Sequence, residues 1–196
     1  EIYIKALEEL RSLYTSEVVN TVKKEGVLVT HDYKLIDGAI PLPATFSMLL
    51  GKRIGEHDNG AQSRLYSPFP FPWRALEGGL KTNFAKQAWN FLNKNPEKVF
   101  FKFSEENGLK VLKYAKADVM RESCVDCHNK HEYTPESQWK VGDVRGVLEV
   151  SLPLSNIVKY SEESLLGFFW LLLSISTVCI LVICFSVIRM KKTSVK

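Results

Sequence analysis

Two cysteines and a histidine form the stretch of this sequence with the clearest chemistry. Cys124, Cys127 and His128 follow the pattern Cys-x-x-Cys-His, in which two thiols three residues apart can each add to one vinyl group of a single porphyrin. The imidazole of the next residue is then held beneath the ring, where it can bind the iron. The pattern therefore predicts one covalently attached haem c, with His128 as an axial iron ligand.

Three other uses of these thiols compete with haem attachment. A structural zinc site needs four ligands, usually as two separated pairs, and the remaining cysteines, Cys179 and Cys184, lie in a long apolar run. Cys124, Cys127, His128 and His131 could together bind one metal ion from a single helix face, which is a rare arrangement. A thioredoxin-like pair needs a βαβ context, which the sequence lacks, and a plain disulfide is the last alternative. The spacing favours haem.

A second strong signal lies near the end of the chain. Residues 165–188 form an apolar run without a charged side chain, long enough to cross a bilayer core of ~30 Å. Acidic residues precede this run and four basic residues follow it, within 189–196, and basic flanks favour the cytoplasmic side. We expect a single-pass membrane protein with residues 1–160 periplasmic, or otherwise extracytoplasmic, and a short cytoplasmic tail over 189–196.

The charge balance narrows the classes of partner. The chain has 26 basic and 22 acidic residues, a net charge of +4, and the tail alone supplies four positive charges. No basic stripe remains that would indicate nucleic-acid binding. No apolar signal segment precedes Glu1, so we expect that a secretory signal or an earlier span is missing from this sequence. No catalytic acid–base pair is evident, and enzymatic activity is not predicted.

The region before the apolar run is predicted to form one α+β domain. Apolar residues at helical spacing predict three helices, over 1–25, 44–54 and 80–95. Strand-like runs are found over 27–29, 40–43, 99–103, 109–115 and 144–152. Asn107-Gly108 is a hairpin signal between two of these runs.

The order of these elements suggests an antiparallel sheet packed with helices. Three prolines within 64–74 exclude regular structure there and stiffen the chain. The haem motif is expected in a loop. In the last strand, 144–152, apolar residues occupy every second position, which is typical of a strand covered on one face. Cys179 and Cys184 are interpreted as apolar filler in the membrane helix.

Several segments make the chain resemble a known family. They are VTHDYK (29–34), AIPLPAT (39–45), LYS (65–67) with PFP (70–72), CVDCHNKH (124–131) and WKVGDVRGVLEV (139–150). On these residues the chain resembles the haem-c-binding, PAS-like extracytoplasmic sensor domains that precede histidine kinases, cyclases and chemoreceptors in bacteria. The resemblance implies a PAS-like fold, one covalent haem c and a role in sensing redox state or a small haem ligand.

The chain departs from this family in two respects. Some members are thought to use a cysteine near the N-terminus as the second axial ligand, and this chain has no cysteine before Cys124. Signalling members continue into a cytoplasmic output domain, whereas this sequence stops eight residues after its predicted span. A partner carrying the output function is therefore expected, and the N-terminal helix could pair with a second copy in a homodimer.

The sequence does not determine which residue, if any, binds the iron on the side of the haem opposite His128. The candidate sixth ligands on the extracytoplasmic side are His31, His57, His131, Met48 and Met120. His31 is preferred because it lies in a matched segment far from His128. Side chains of the matched segments that could pack on the porphyrin or pair with its propionates are Arg64, Tyr66, Phe71, Arg74, His131, Trp139, Lys140 and Arg145.

The main hypothesis is a membrane-anchored monohaem c-type cytochrome with a sensor-like domain. The alternative is an electron-transfer or accessory haem subunit of a larger membrane complex. A haem enzyme is disfavoured, because no convincing distal acid–base pair is present in the sequence.

Overall fold

The computed structural model describes residues 1–57, 60–106 and 108–193 and contains two compact units, Glu1–Pro153 and Leu154–Lys196. The elements of the first unit are, in chain order, α1 (Ile2–Leu13), a π-helical segment (Tyr14–Val19), α2 (Asn20–Lys24), β1 (Val29–Thr30), β2 (Ile40–Pro41), α3 (Pro43–His57), β3 (Gln62–Tyr66), a 3₁₀ turn (Pro72–Arg74), α4 (Asn83–Leu92), β4 (Val99–Glu106), β5 (Leu109–Val119), α5 (Glu122–Lys130) and β6 (Val144–Pro153).

A four-stranded antiparallel sheet organises this unit. The strand order is β3-β6-β5-β4, and β1 and β2 form a separate two-residue parallel pair. The β4–β5 hairpin was predicted from Asn107-Gly108; Gly108 has φ +76°, as such a turn requires, and Asn107 lies outside the described residues. The predicted α+β class, an antiparallel sheet packed with helices, is confirmed.

The central strand β6 is buried on both faces. Val147 belongs to the core under α4, whereas Leu148 and Val150 pack with Ile4 and Leu7 of α1 on the opposite face. The expectation that only one face of this strand is covered was wrong. Alternating polar residues suggested a solvated face, but Glu149 on that face is only 1% exposed, because β6 lies between two other strands and helices cover both sides of the sheet.

The N-terminal helix is continuous but not regular. Its segment Tyr14–Val19 is π-helical, and α2 ends at Lys24, shortly before Gly26, whose φ of +79° is incompatible with a continued helix. A π-turn adds a residue to the turn and so rotates the residues after it. Thr15 and Val19 are therefore buried, whereas Val18 is 39% exposed.

The second unit is a single long helix, α6 (Ser155–Thr193). Its segment Leu165–Ile183 has a mean hydropathy of 2.5, and among the described residues it is the one helix long and apolar enough to cross a membrane. This agrees with the predicted span over 165–188. Residues 194–196 of the predicted tail lie outside the described residues, and the orientation in the membrane stays a prediction.

Candidate functional site

Helix α5 carries the Cys-x-x-Cys-His motif. The sequence predicted a loop here, which was wrong: Glu122 occupies the first turn, where an acidic side chain is favourable, and no proline or glycine interrupts the segment. Two backbone hydrogen bonds, both 2.8 Å long, hold Met120, two residues before the helix, to the turn that precedes β6: Met120 N donates to Asp143 O, and Gly142 N donates to Met120 O. Residues three and four apart share a helix face, so the helix aligns both thiols with the imidazole.

This face borders a cavity of about 1350 Å³, its open mouth included. Cys124, Cys127 and His128 all line it. The other walls come from α1 and the π-helical segment, from α3, from residues 65–74, from the end of β5 and from the start of β6, and they are mostly apolar. Clefts of this kind, apolar with a few convergent polar groups, are typical cofactor sites.

The two motif cysteines are free and half-buried. Within the described residues, no three His, Cys, Asp or Glu side chains converge as metal ligands would. The arrangement therefore offers the thiols to the cavity.

His128 is largely shielded from solvent. Burial lowers its pKa to about 4, and the nearby positive charge of Arg145 contributes to the decrease. The imidazole is therefore neutral at pH 7, which is the form that binds a metal ion. Its Nδ1 lies 3.4 Å from Nε of Arg145, and its ring lies 5.5 Å from that of Phe71.

Arg145, at the start of β6, is held rigidly beside the motif. It donates from Nη1 to Ser67 Oγ at 2.6 Å and from Nη2 to the carbonyl of Phe69 at 2.7 Å. Its guanidinium lies 5.1 Å from the ring centroid of Trp139, and burial lowers its pKa. A buried cation in the cavity wall is suited to an anionic group of a bound cofactor.

A second buried arginine was missed by the sequence analysis. Arg11 of α1 lines the cavity and pairs in bidentate fashion with Asp118 at the end of β5. Burial acts to lower the pKa of Arg11 and the Asp118 carboxylate acts to raise it, with a net increase. A signal was available: Arg11 lies on the helical stripe that contains the buried Leu7 and Thr15, where an arginine needs a partner.

An aromatic stack forms another part of the wall. The rings of Phe71 and Trp73 stack with centroids 4.7 Å apart, and the ring of His31 stacks on Trp73 at 4.0 Å. His31 also lies 3.1 Å from Asp32 through Nε2. Phe71 and Trp73 line the cavity, whereas His31 is outside the set of lining residues.

The other candidate sixth ligands are distributed differently. Met48, Met120 and His131 line the cavity. Met48 is on α3, whereas Met120 and His131 flank α5, the helix that carries His128. The side chain of His57 lies outside the described residues.

The predicted pocket residues divide into two groups. Tyr66, Phe71, Arg74, His131 and Arg145 line the cavity, and Arg64, Trp139 and Lys140 do not. Arg64 lies 5.8 Å from the ring centroid of Tyr66, Trp139 is buried against Arg145, and Lys140 is exposed. Arg74 donates to the carbonyl of Leu65 at 3.2 Å.

Comparisons with known proteins bear on the first unit. The family model described as Tll0287-like matches residues 1–153. The chain is also similar to a solved structure, the cyanobacterial haem-protein Tll0287, with a TM-score of 0.53 and 18% identity over 78% of this chain and 91% of that chain. At this identity the similarity supports the fold. No curated protein sequence matches the chain significantly.

Proposed function

Since the chain belongs to the Tll0287-like family, we propose that residues 1–153 form a haem-binding domain that holds one haem c covalently. The observation that carries this proposal is that Cys124, Cys127 and His128 face a single large, mostly apolar cavity. The cysteines would form the two thioether links and His128 would bind the iron. When bound, the haem supplies a one-electron redox centre.

The cavity walls suit the other parts of the cofactor. Apolar and aromatic side chains, Phe71 and Trp73 among them, would cover the porphyrin and exclude water. Arg145, Arg74 and Lys23 line the cavity and are the cations placed to compensate the propionates, because unpaired buried carboxylates are costly. Arg11 is already paired with Asp118 and would contribute less.

For the sixth iron position we propose Met48 in place of His31. A second iron ligand would come from a wall other than α5, the helix that carries His128. Met48 meets this condition from α3 and lines the cavity, whereas His31 is stacked on Trp73 outside it. Methionine ligation raises the reduction potential of a haem.

Covalent attachment is tested by denaturing the protein. The full chain, produced in a host that attaches c-type haem, should keep its colour after denaturation and acid extraction, and its mass should exceed that of the bare polypeptide by one haem. Cys124→Ala or Cys127→Ala should lose stable attachment. Cys179→Ala is the matched control, because this free cysteine lies in α6. A colourless, unmodified wild-type chain would show the proposal to be wrong.

Iron ligation needs its own variant. His128→Ala should keep the haem, since both thioether links remain, but its optical and paramagnetic spectra should change. If the spectra of His128→Ala and wild type coincide, His128 is not the axial ligand.

We propose that the haem domain acts in sensing redox state or a small ligand at the membrane. In support, β6 begins beside the motif with Arg145 and ends at Pro153, and α6 begins two residues later. A change at the haem that moves Arg145 would act on the strand that leads into the membrane helix. Faster hydrogen exchange in β6 in one oxidation state would support this; identical exchange in both would count against it.

Electron transfer is the second candidate. The stacked rings of Phe71, Trp73 and His31 lead from the cavity to a histidine whose side chain is 31% exposed. An electron carrier should be reduced rapidly by a soluble donor, more slowly after Trp73→Leu, and should not bind carbon monoxide. Slow reduction with ready carbon monoxide binding would favour sensing.

A further inference from the structure

A buried serine fixes the arginine that faces the motif histidine. Ser67, the residue after β3, is 6% exposed, and Arg145 at the start of β6 is 7% exposed. The Ser67 hydroxyl donates to the carbonyl of Arg145 at 2.6 Å, and it accepts from Arg145 Nη1 at 2.6 Å and from Phe69 N at 3.0 Å. A hydroxyl has one donor and two acceptor sites, so these contacts use all three.

The guanidinium of Arg145 is held from several sides. Besides its contact with Ser67, it donates from Nη2 to the carbonyl of Phe69 at 2.7 Å. It also lies 5.1 Å from the ring centroid of Trp139 and 5.7 Å from that of Phe71. Three of its five N–H groups thus have acceptors among the described residues, which leaves two for a propionate. Protein contacts therefore set the position of this cation.

The Nε–H of Arg145 faces the imidazole of His128. Nε lies 3.4 Å from Nδ1, so Nε2 is the ring nitrogen left to bind iron. Histidines that bind a metal almost always donate the other ring N–H to a carboxylate, a carbonyl or a water. Here a cationic donor occupies the place of that acceptor. A neutral imidazole bound through Nε2 carries its proton on Nδ1, so two donors face each other and no acceptor strengthens the ligand.

We propose that Ser67 and Arg145 are positioning residues for the axial histidine: Ser67 holds the guanidinium beside Nδ1 of His128, which directs Nε2 to the iron and weakens electron donation by the imidazole. A nearby cation disfavours the oxidised iron, which carries one more positive charge, relative to the reduced iron. The two residues therefore raise the reduction potential of the haem. This inference rests on the proposed haem site and assigns residues that set its properties.

The first variant separates the position of Arg145 from its charge. Arg145→Lys keeps the positive charge, but one ammonium cannot reproduce the planar fork that reaches Ser67, Phe69 and His128. The haem-loaded full chain is measured in detergent by paramagnetic resonance of the oxidised iron and by redox titration. We expect an altered resonance spectrum and a shift of the reduction equilibrium toward the oxidised form by about threefold, which is about 28 mV at 59 mV for each tenfold change.

Ser67→Ala tests the same position without changing any charge. It removes the oxygen that accepts from Arg145 and leaves the arginine in the chain, and we expect a spectral change and a shift of the same sign as in Arg145→Lys. Ser67→Thr keeps a hydroxyl and should lie closer to the wild type. Ser151→Ala is the matched control: Ser151 is 9% exposed on β6 and donates to Glu149 Oε1 at 3.2 Å, outside the cavity lining.

Arg74→Gln is the control for charge alone. Arg74 lines the cavity and donates to the carbonyl of Leu65 at 3.2 Å. Removing its charge should lower the reduction potential but leave the resonance spectrum of the oxidised iron unchanged. If Arg145→Lys and Ser67→Ala also leave that spectrum unchanged, Arg145 acts through its charge only and the positioning role is overturned.

The outcomes separate this inference from the function on which it rests. A wild-type chain without attached haem contradicts the haem site itself. A higher reduction potential in haem-loaded Arg145→Lys or Ser67→Ala has the wrong sign, and it overturns the positioning role while haem binding stands. The same spectral change in Ser151→Ala would assign the effect to a general loosening of the fold and overturn it as well. If one of the two variants does not fold, the other decides.

Discussion

The buried ion pair between Arg11 and Asp118 allows a quantitative test of how the cavity wall is built. Both side chains are about 15% exposed, at 15% and 14%, and the contact is bidentate between α1 and the end of β5. Asp118→Asn leaves the guanidinium charged and without its carboxylate. Removing one partner of a buried pair costs about 3–5 kcal/mol, and we expect a value near the lower limit because the site opens into a cavity.

The loss should be visible in thermal unfolding. For a unit of this size, about 3 kcal/mol corresponds to a decrease in Tm of roughly 6–12 °C. The assay is circular dichroism of the full chain in detergent, produced without haem. Arg11→Met combined with Asp118→Asn should recover part of the loss, since no buried charge is then unpaired, and the double-mutant cycle should give a coupling of about 1–3 kcal/mol.

An exposed pair of the same chemistry is the control. Lys130 and Asp126 form an i,i+4 pair on α5 with side chains 77% and 72% exposed, and Asp126→Asn should cause no measurable change in Tm. If Asp118→Asn is as harmless as Asp126→Asn, or if the cycle gives no coupling, Arg11 does not depend on Asp118 and the wall is not built around this pair.

Three further predictions concern other parts of the site. Met48→Leu should change the visible spectrum of the haem-loaded chain and lower its reduction potential, whereas Met120→Leu should do neither; the reverse result would move the sixth ligand to Met120. In the haem-free chain, the free energy of unfolding should decrease by at most about 3 kcal/mol as the pH falls from 6.5 to about 4, because the unfolded chain binds the His128 proton more tightly than the folded chain. Urea unfolding should show this pH dependence, and His128→Gln should weaken it. Gly146→Ala should cost about 1–3 kcal/mol, because its Cβ would stand 2.6 Å from a carbonyl oxygen of β3, whereas Gly79→Ala meets only ordinary contacts; equal Tm values for the two variants would contradict this.

The parts of the fold that the sequence predicted well are those with one dominant local signal. The apolar period of α4, the Asn-Gly hairpin signal and the long uncharged run of α6 each indicated an element that the structure contains. The resemblance to a haem-binding family is confirmed by the family match over residues 1–153. In these segments the local sequence pattern alone indicates the type of element, so no distant contact had to be known.

The errors share a physical cause, which is that tertiary packing overrides the local pattern. Polar residues on one face of β6 suggested solvent, but Arg145 and Glu149 are buried, Arg145 with Ser67 after β3 as its partner and Glu149 near Lys113 of β5. In the π-helical segment, Thr15 and Val19 are buried and the apolar Val18 is exposed. Neither the burial of these polar residues nor the π-helical turn can be predicted from the few residues on either side.

The same reasoning explains why the motif could be assigned from sequence and the far side of the haem could not. The chemistry of Cys124, Cys127 and His128 is contained in five consecutive residues, and any helix or loop that exposes them can present it. The opposite wall is assembled from α1, α3 and the segment 65–74, which meet only when the sheet has formed. His31 was preferred because it lies in a matched segment, yet its ring stacks on Trp73, whereas Met48, with no sequence signal beyond an apolar helix face, lines the cavity. Which residue can bind the iron opposite His128 therefore depends on how the elements pack. Substitutions at Met48 and His31 test that packing as well as the ligation of the haem.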